Sequence, residues 1–128
     1  MDSKIILKYK KYYIRQLLGM ATRRFNKFIR ERDKDDGCIS CGCSVENAGH
    51  YYESGQHPEL RYDEENVNGQ CIKCNKWNSG NLIEYRKGLV RKIGEDGVKR
   101  LDSIEAYWKR YQWHWNRFDL IEIIEKYK

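Results

Sequence analysis

Two Cys-x-x-Cys pairs, CISC from Cys38 to Cys41 and CIKC from Cys71 to Cys74, constrain this chain more than any other feature. The 29 residues between them are rich in Gly and Asn and too poor in aliphatic side chains to close a core unaided. A stretch like that needs a staple. Two knuckles offer four thiolates, the tetrahedral sulfur set that Zn²⁺ prefers. Four protein sulfurs leave no open coordination position, so the expected zinc is structural. The fifth cysteine, Cys43, reads as a spare thiol or an alternative ligand. The N-terminus is positively charged but lacks an apolar stretch ending in small residues, so no secretory signal is expected. No run of about eighteen apolar residues offers a membrane span. An intracellular, reducing setting follows, where close cysteine pairs hold metal more often than they form disulfides.

A chain of 128 residues suits one domain with a modest core. Apolar residues at Ile14, Leu17, Leu18, Ala21, Phe25, Phe28 and Ile29 follow three-four spacing and predict an amphipathic helix over about 5–32. The other face of that helix carries Arg15, Arg23, Arg24, Lys27 and Arg30. Residues 1–34 hold eleven basic and three acidic side chains, whereas the remainder is close to neutral. Such an arm suits a polyanion, nucleic acid above all, although a solvated helix face has the same composition. Helical patterning returns after Asn81, breaks at Gly94 and resumes from Glu95 to about Asp102; the aromatic stretch after Ser103 is helical at its start. Asp119 and Glu122, three apart, predict a capping box opening a last helix. The expected division is a basic N-terminal helix (1–34), a zinc-stapled core (38–93) and C-terminal helices (94–128). The expected class is α+β and mainly helical.

The loop between the knuckles carries His50, His57 and Asn66, and Asn75 follows the second knuckle directly. A zinc staple fixes Asn75 at the start of the next helix, and a strand over about 47–52 can lie beside it. His50 on that strand and the Asn75 side-chain oxygen would then face one another. Histidine suits the role of general base toward water, and an amide oxygen suits a hard cation such as Mg²⁺. Together they form a minimal kit for phosphodiester hydrolysis.

The order of knuckle, His, Asn, then knuckle followed by Asn resembles the HNH (ββα-metal, His-Me finger) nucleases. In its zinc framework the chain is similar to the phage junction resolvase endonuclease VII. It resembles more closely the phage recombination family known as NinG or Rap, over FIRERD (28–33), CISCG (38–42), AGHY (48–51), PELRYDEENV (58–67), QCIKCN (70–75) and SGNLIEYRKGLVRKIG (79–94). The resemblance implies a small ββα-metal centre stapled by Zn²⁺ at Cys38, Cys41, Cys71 and Cys74 and flanked by the basic helix and the C-terminal helices. It implies a metal-dependent endonuclease that cuts branched DNA, such as Holliday junctions and D-loops, during phage recombination in the cytoplasm of the bacterial host. Carried over residue by residue, His50 is the general base and Asn66 orders the loop that holds it. Asn75 is a ligand of a catalytic Mg²⁺ or Mn²⁺.

Three positions depart from the pattern. Gly49 stands where many HNH enzymes carry a metal-binding Asp, Asn47 where the related family can show Asp, and Asn68 where it can show His. The second metal ligand is therefore His50 itself, Asn47 or Asp63, and if His50 ligates metal, His57 becomes the base to test. Phosphate contacts are expected from the basic helix face and from Arg61, Lys73, Lys76 and Arg86. Tyr51, Tyr52 and Trp77 could stack on an unpaired base or pack internally, while Trp108, Trp113, Trp115 and Phe118 read mainly as packing residues. Paired cuts imply a homodimer, with a phage recombinase as a further partner. The rival readings are a nonspecific nicking HNH enzyme and a non-catalytic zinc-containing DNA-binding adaptor.

Overall fold

The four-residue spacing of Leu17, Ala21, Phe25 and Ile29 sets one stripe of a helix, and the computed structural model, which describes all 128 residues, buries that stripe completely. The helix is α2 (Ile14–Asp33), preceded by a separate short helix α1 (Ser3–Lys8). The predicted single helix over 5–32 is therefore interrupted. Its break lies at residues 9–13, where tertiary bonds outcompete the helix. Arg117 donates to the carbonyls of Tyr9 and Lys10 at 2.6 and 3.3 Å, and the buried Tyr9 hydroxyl donates to Glu125. The Gln16 side chain then caps the restart by accepting from Tyr13 N–H at 2.8 Å.

Strand β1 (Asn47–His50) pairs antiparallel with β2 (Val67–Gln70), with Asn47 opposite Gln70 and His50 opposite Val67. A two-stranded ribbon is marginal alone. This one is held from both sides: α2 and α4 (Arg117–Lys126) share a core with Val67 and Tyr62, and α3 (Leu82–Trp108) buries Tyr85 and Leu89 with Leu60. Within α3, Gly94 adopts φ 77° and ψ 168°, which turns the helix into two arms. Val98 and Leu101 of the second arm thereby join Tyr85 and Leu89 of the first in one cluster. The first turn of α4 is capped by Asn116, whose side chain accepts from Asp119 N–H at 2.9 Å, so the helix begins before the predicted Asp119–Glu122 box. No helix is long and apolar enough to cross a membrane. The result is a mixed α+β fold, helices around one small sheet.

Phe118, expected to pack, is 51% exposed, whereas Trp115 packs edge-on against Tyr62 and donates to the Pro58 carbonyl at 2.8 Å. Trp108 and Trp113 meet edge to face at 4.8 Å.

Candidate functional site

The four knuckle cysteines converge. All four sulfurs of Cys38, Cys41, Cys71 and Cys74 lie within 4.8 Å of one another, with Cys41 and Cys71 at 3.6 Å. A tetrahedral Zn–S₄ centre with bonds of about 2.3 Å has sulfur–sulfur edges of about 3.8 Å, so the cluster could bind a metal such as zinc. Cys43 is exposed and outside the cluster; its carbonyl accepts from Cys38 N–H at 2.6 Å, closing the first knuckle. Two outer donors reach the sulfurs: Cys74 N–H points at Cys71 Sγ (3.4 Å) and the Asn81 amide at Cys74 Sγ (3.5 Å).

The second cluster is attached to the first. Asn75, one residue beyond Cys74, lies in a single wide turn, Lys73–Trp77, closed by Asn78 N–H onto the Lys73 carbonyl at 2.9 Å. This turn stands before α3 and is not its first turn, because Ser79, Gly80 and Asn81 all take positive φ and separate the two. Asn75 and His50 line the same cleft of about 490 Å³ between β1, this turn and the start of α3. The Asn75 amide nitrogen donates to Asn47 Oδ1 at 3.1 Å, which leaves the Asn75 carbonyl oxygen free. Asn47 itself stands behind Asn75 and does not line the cleft.

His50 Nε2 lies 2.9 Å from the Arg61 carbonyl oxygen. A carbonyl only accepts, so Nε2 carries the proton and Nδ1 is the free, basic nitrogen. Burial pushes the His50 pKa below its ordinary value; the bond to the Arg61 carbonyl opposes this and the nearby Arg61 charge adds to it. The imidazole is therefore neutral at neutral pH.

Asn66 is fully buried and reaches three backbone groups of the segment that follows the histidine. It accepts from Tyr52 N–H (2.8 Å) and donates to the carbonyls of Tyr52 and Leu60 (both 3.0 Å). Gly49, next to His50, has no room for a side chain: a Cβ there would overlap the buried Gln70 side chain, and the Gly49 carbonyl accepts from Tyr85 at 2.6 Å. Asn68 faces away from the cleft into a partly buried ionic network. There Arg32 and Lys92 meet both Asp33 and the Asn68 oxygen. Burial would raise the Asp33 carboxyl, but Arg32, the Gly69 N–H and Lys92 outweigh it and hold it at about 2.

Two sequence candidates fall elsewhere. Asp63 forms a two-pronged bond to Arg100 (2.8 and 3.0 Å) and caps Glu65 N–H, so it belongs to a surface clamp. His57 packs on the Tyr52 ring with Nδ1 at 3.7 Å from Glu59, outside the cleft. Among the expected phosphate contacts, Arg15, Arg23, Lys27, Lys73 and Lys76 are exposed, and Arg30 is half-buried. Three others also serve the fold. Arg24 donates to the Ile124 carbonyl, Arg61 to Thr22, and Arg86 pairs with Asp102 at 3.0 Å. Tyr51 and Tyr52 pack on one another at 5.0 Å, whereas Trp77 is 79% exposed. Sequence reasoning missed the roles of Gln70, Tyr85 and the Arg32–Asp33 pair, although they sit in QCIKCN, SGNLIEYRKGLVRKIG and FIRERD. It also missed Glu53, a cleft residue that no spacing rule singles out.

A family model described as "Bacteriophage Lambda NinG protein" matches residues 2–128. Protein ninG of Escherichia phage 933W is 43% identical over 113 residues, covering 86% of this chain and 53% of that protein. The Salmonella phage P22 protein is 43% identical over 113 residues (86% and 52%), and that of Escherichia phage lambda 42% over 113 residues (86% and 52%). The chain thus spans about half the length of the curated relatives it matches. No solved structure matches it.

Proposed function

Because the chain belongs to the NinG family of phage proteins, as the match across residues 2–128 and the 43% identity to its relatives show, we propose a function for its cleft: metal-dependent hydrolysis of phosphodiesters in branched DNA. One observation carries this reading. His50 is half-buried, neutral and locked by the Arg61 carbonyl into the tautomer whose free nitrogen is Nδ1, in a cleft that Asn75 also lines.

His50 Nδ1 takes the proton from an attacking water, and the resulting imidazolium is stabilised by the Arg61 carbonyl on its opposite nitrogen. Asn66 holds the segment that brings that carbonyl to the histidine. Asn47 Oδ1 accepts from the Asn75 amide nitrogen and so orients Asn75, which keeps its side-chain oxygen for a hard cation. A bound Mg²⁺ or Mn²⁺ would supply charge stabilisation at the scissile phosphate and the leaving 3′ oxygen. The products of that geometry are a 5′ phosphate and a 3′ hydroxyl. Zinc at the four cysteines would fix the backbone next to Asn75. Arg15, Arg23 and Lys27 on the exposed face of α2, with Lys73 and Lys76 beside Asn75, are cations free to meet phosphates without reading sequence. Two copies would supply the two clefts that paired cuts across a junction require.

The test is cleavage of labelled four-way junction, D-loop, flap and plain duplex with Mg²⁺, Mn²⁺ or EDTA. Metal-dependent cutting of branched DNA is expected, with His50→Ala reduced on the order of a hundredfold or more while it remains folded and zinc-loaded. Equal cutting of plain duplex would replace this reading by a nicking enzyme. Binding without cutting under either metal would leave a zinc-containing DNA-binding adaptor.

A further inference from the structure

A cleft that holds a divalent cation needs negative charge, and this one has a single source. Mg²⁺ sites in proteins are built on one or two carboxylates, with waters and substrate oxygens completing the shell. Here the donors already described are neutral: the Asn75 oxygen and the His50 imidazole. The position before the histidine cannot provide an acid, because the Gln70 side chain fills the space beside Gly49. Asp63 is engaged with Arg100 and two backbone N–H groups. Asn47 is uncharged and turned onto Asn75.

Among the residues that line the cleft, Glu53 alone carries a charge, and no lysine or arginine lines it to neutralise that charge. The Glu53 carboxylate has neither a hydrogen-bond nor an ion-pair partner in the protein, whereas its backbone is fixed on both sides. Asn66 accepts from the Tyr52 N–H and donates to the Tyr52 carbonyl, and the Glu53 carbonyl accepts from His57 N–H at 2.8 Å. Glu53 is exposed at the mouth of this cleft, on a backbone pinned from both sides, and shares its lining with Asn75 and His50. Resting on the nuclease reading of this cleft, we infer that Glu53 supplies the anionic ligand of the divalent cation whose neutral ligand is Asn75. The charge that many HNH enzymes carry immediately before the histidine is thereby provided from three residues after it.

The experiment is a Mn²⁺ titration of the zinc-loaded full chain, followed by electron paramagnetic resonance, for wild type, Glu53→Gln and Glu53→Asp. Metal-supported junction cleavage is measured in parallel. Wild type is expected to bind one Mn²⁺ outside the cysteine cluster. Glu53→Gln should weaken that binding by about tenfold or more, the size seen even for groups that only support a ligand. Its zinc content and thermal midpoint should be unchanged, because the side chain makes no contact that holds the fold, and Glu53→Asp should recover part of the affinity. Equal Mn²⁺ affinity in wild type and Glu53→Gln would overturn the inference, as would the absence of any Mn²⁺ site in wild type. Cleavage separates the two readings. A wild type that binds Mn²⁺ through Glu53 but cuts nothing defeats the nuclease reading alone. Cutting whose half-saturating metal concentration is the same in Glu53→Gln defeats the Glu53 assignment alone.

Discussion

At the scale of single residues, the decisive atoms are the two ring nitrogens of His50. One is committed to the Arg61 carbonyl, so only the other can accept a proton from water. Burial lowers the pKa, so the imidazole takes up its proton below the ordinary histidine value of about 6.5. Cleavage is expected to stay flat from neutral pH down through 6.5 and to fall only on the more acid side, which a pH–rate profile on a junction substrate checks. The same group affects stability with a definite sign. The unfolded histidine takes up its proton near 6.5 and the folded one at lower pH, so His50 removes stability as pH drops below 6.5. Asp33 acts in the same direction at lower pH. Its contribution is fully present above the unfolded carboxylate value and is lost as pH falls from 3.8 toward about 2, amounting to on the order of 2 kcal/mol. Urea unfolding across pH 7 to 2 should show these two declines in that order. Asp33 is legible in the sequence only as an acid at a helix end. Its role needs Lys92, 59 residues away, and the Gly69 N–H of β2.

At the scale of elements, α3 depends on one residue. Gly94 occupies a backbone region open essentially to glycine alone, and open space surrounds the position where a Cβ would stand. Substitution there tests backbone strain without a clash. Gly94→Ala is expected to cost about 1–3 kcal/mol in thermal or urea unfolding and to leave zinc content unchanged. The sequence marked this break, because a glycine inside helical periodicity is visible without a structure. It did not mark the break between α1 and α2. There the local pattern favours helix, and the interruption comes from Arg117 and Glu125, more than a hundred residues distant. The α4 cap shifted for a smaller reason: Asn116 and Asp119 are both good caps, and the earlier one reached the exposed N–H.

For the whole molecule, the cysteine cluster and the cleft form one mechanical unit, since Asn75 is the residue after Cys74 and His50 ends the strand paired with β2. Chelation of zinc is expected to strip hydrogen-exchange protection from residues 38–81 while α2 and α4, which share their own core, keep theirs. Cleavage should be lost with it and not return on adding Mg²⁺ alone. The sequence by itself determined the four-cysteine cluster, the buried stripe of α2, the Gly94 break, and two residues of the cleft, His50 and Asn75. Those are properties of spacing and of chemical kind, which a linear string carries in full. Only the tertiary structure decided which candidate stands where. It turned Asn47 onto Asn75, gave Asp63 to Arg100, filled the space at Gly49 with Gln70, chose Nδ1 of His50 through a carbonyl eleven residues away, and left Glu53 unpaired in the cleft. Each depends on the direction of a side chain and on a partner brought close by packing, and neither is encoded by spacing along the chain.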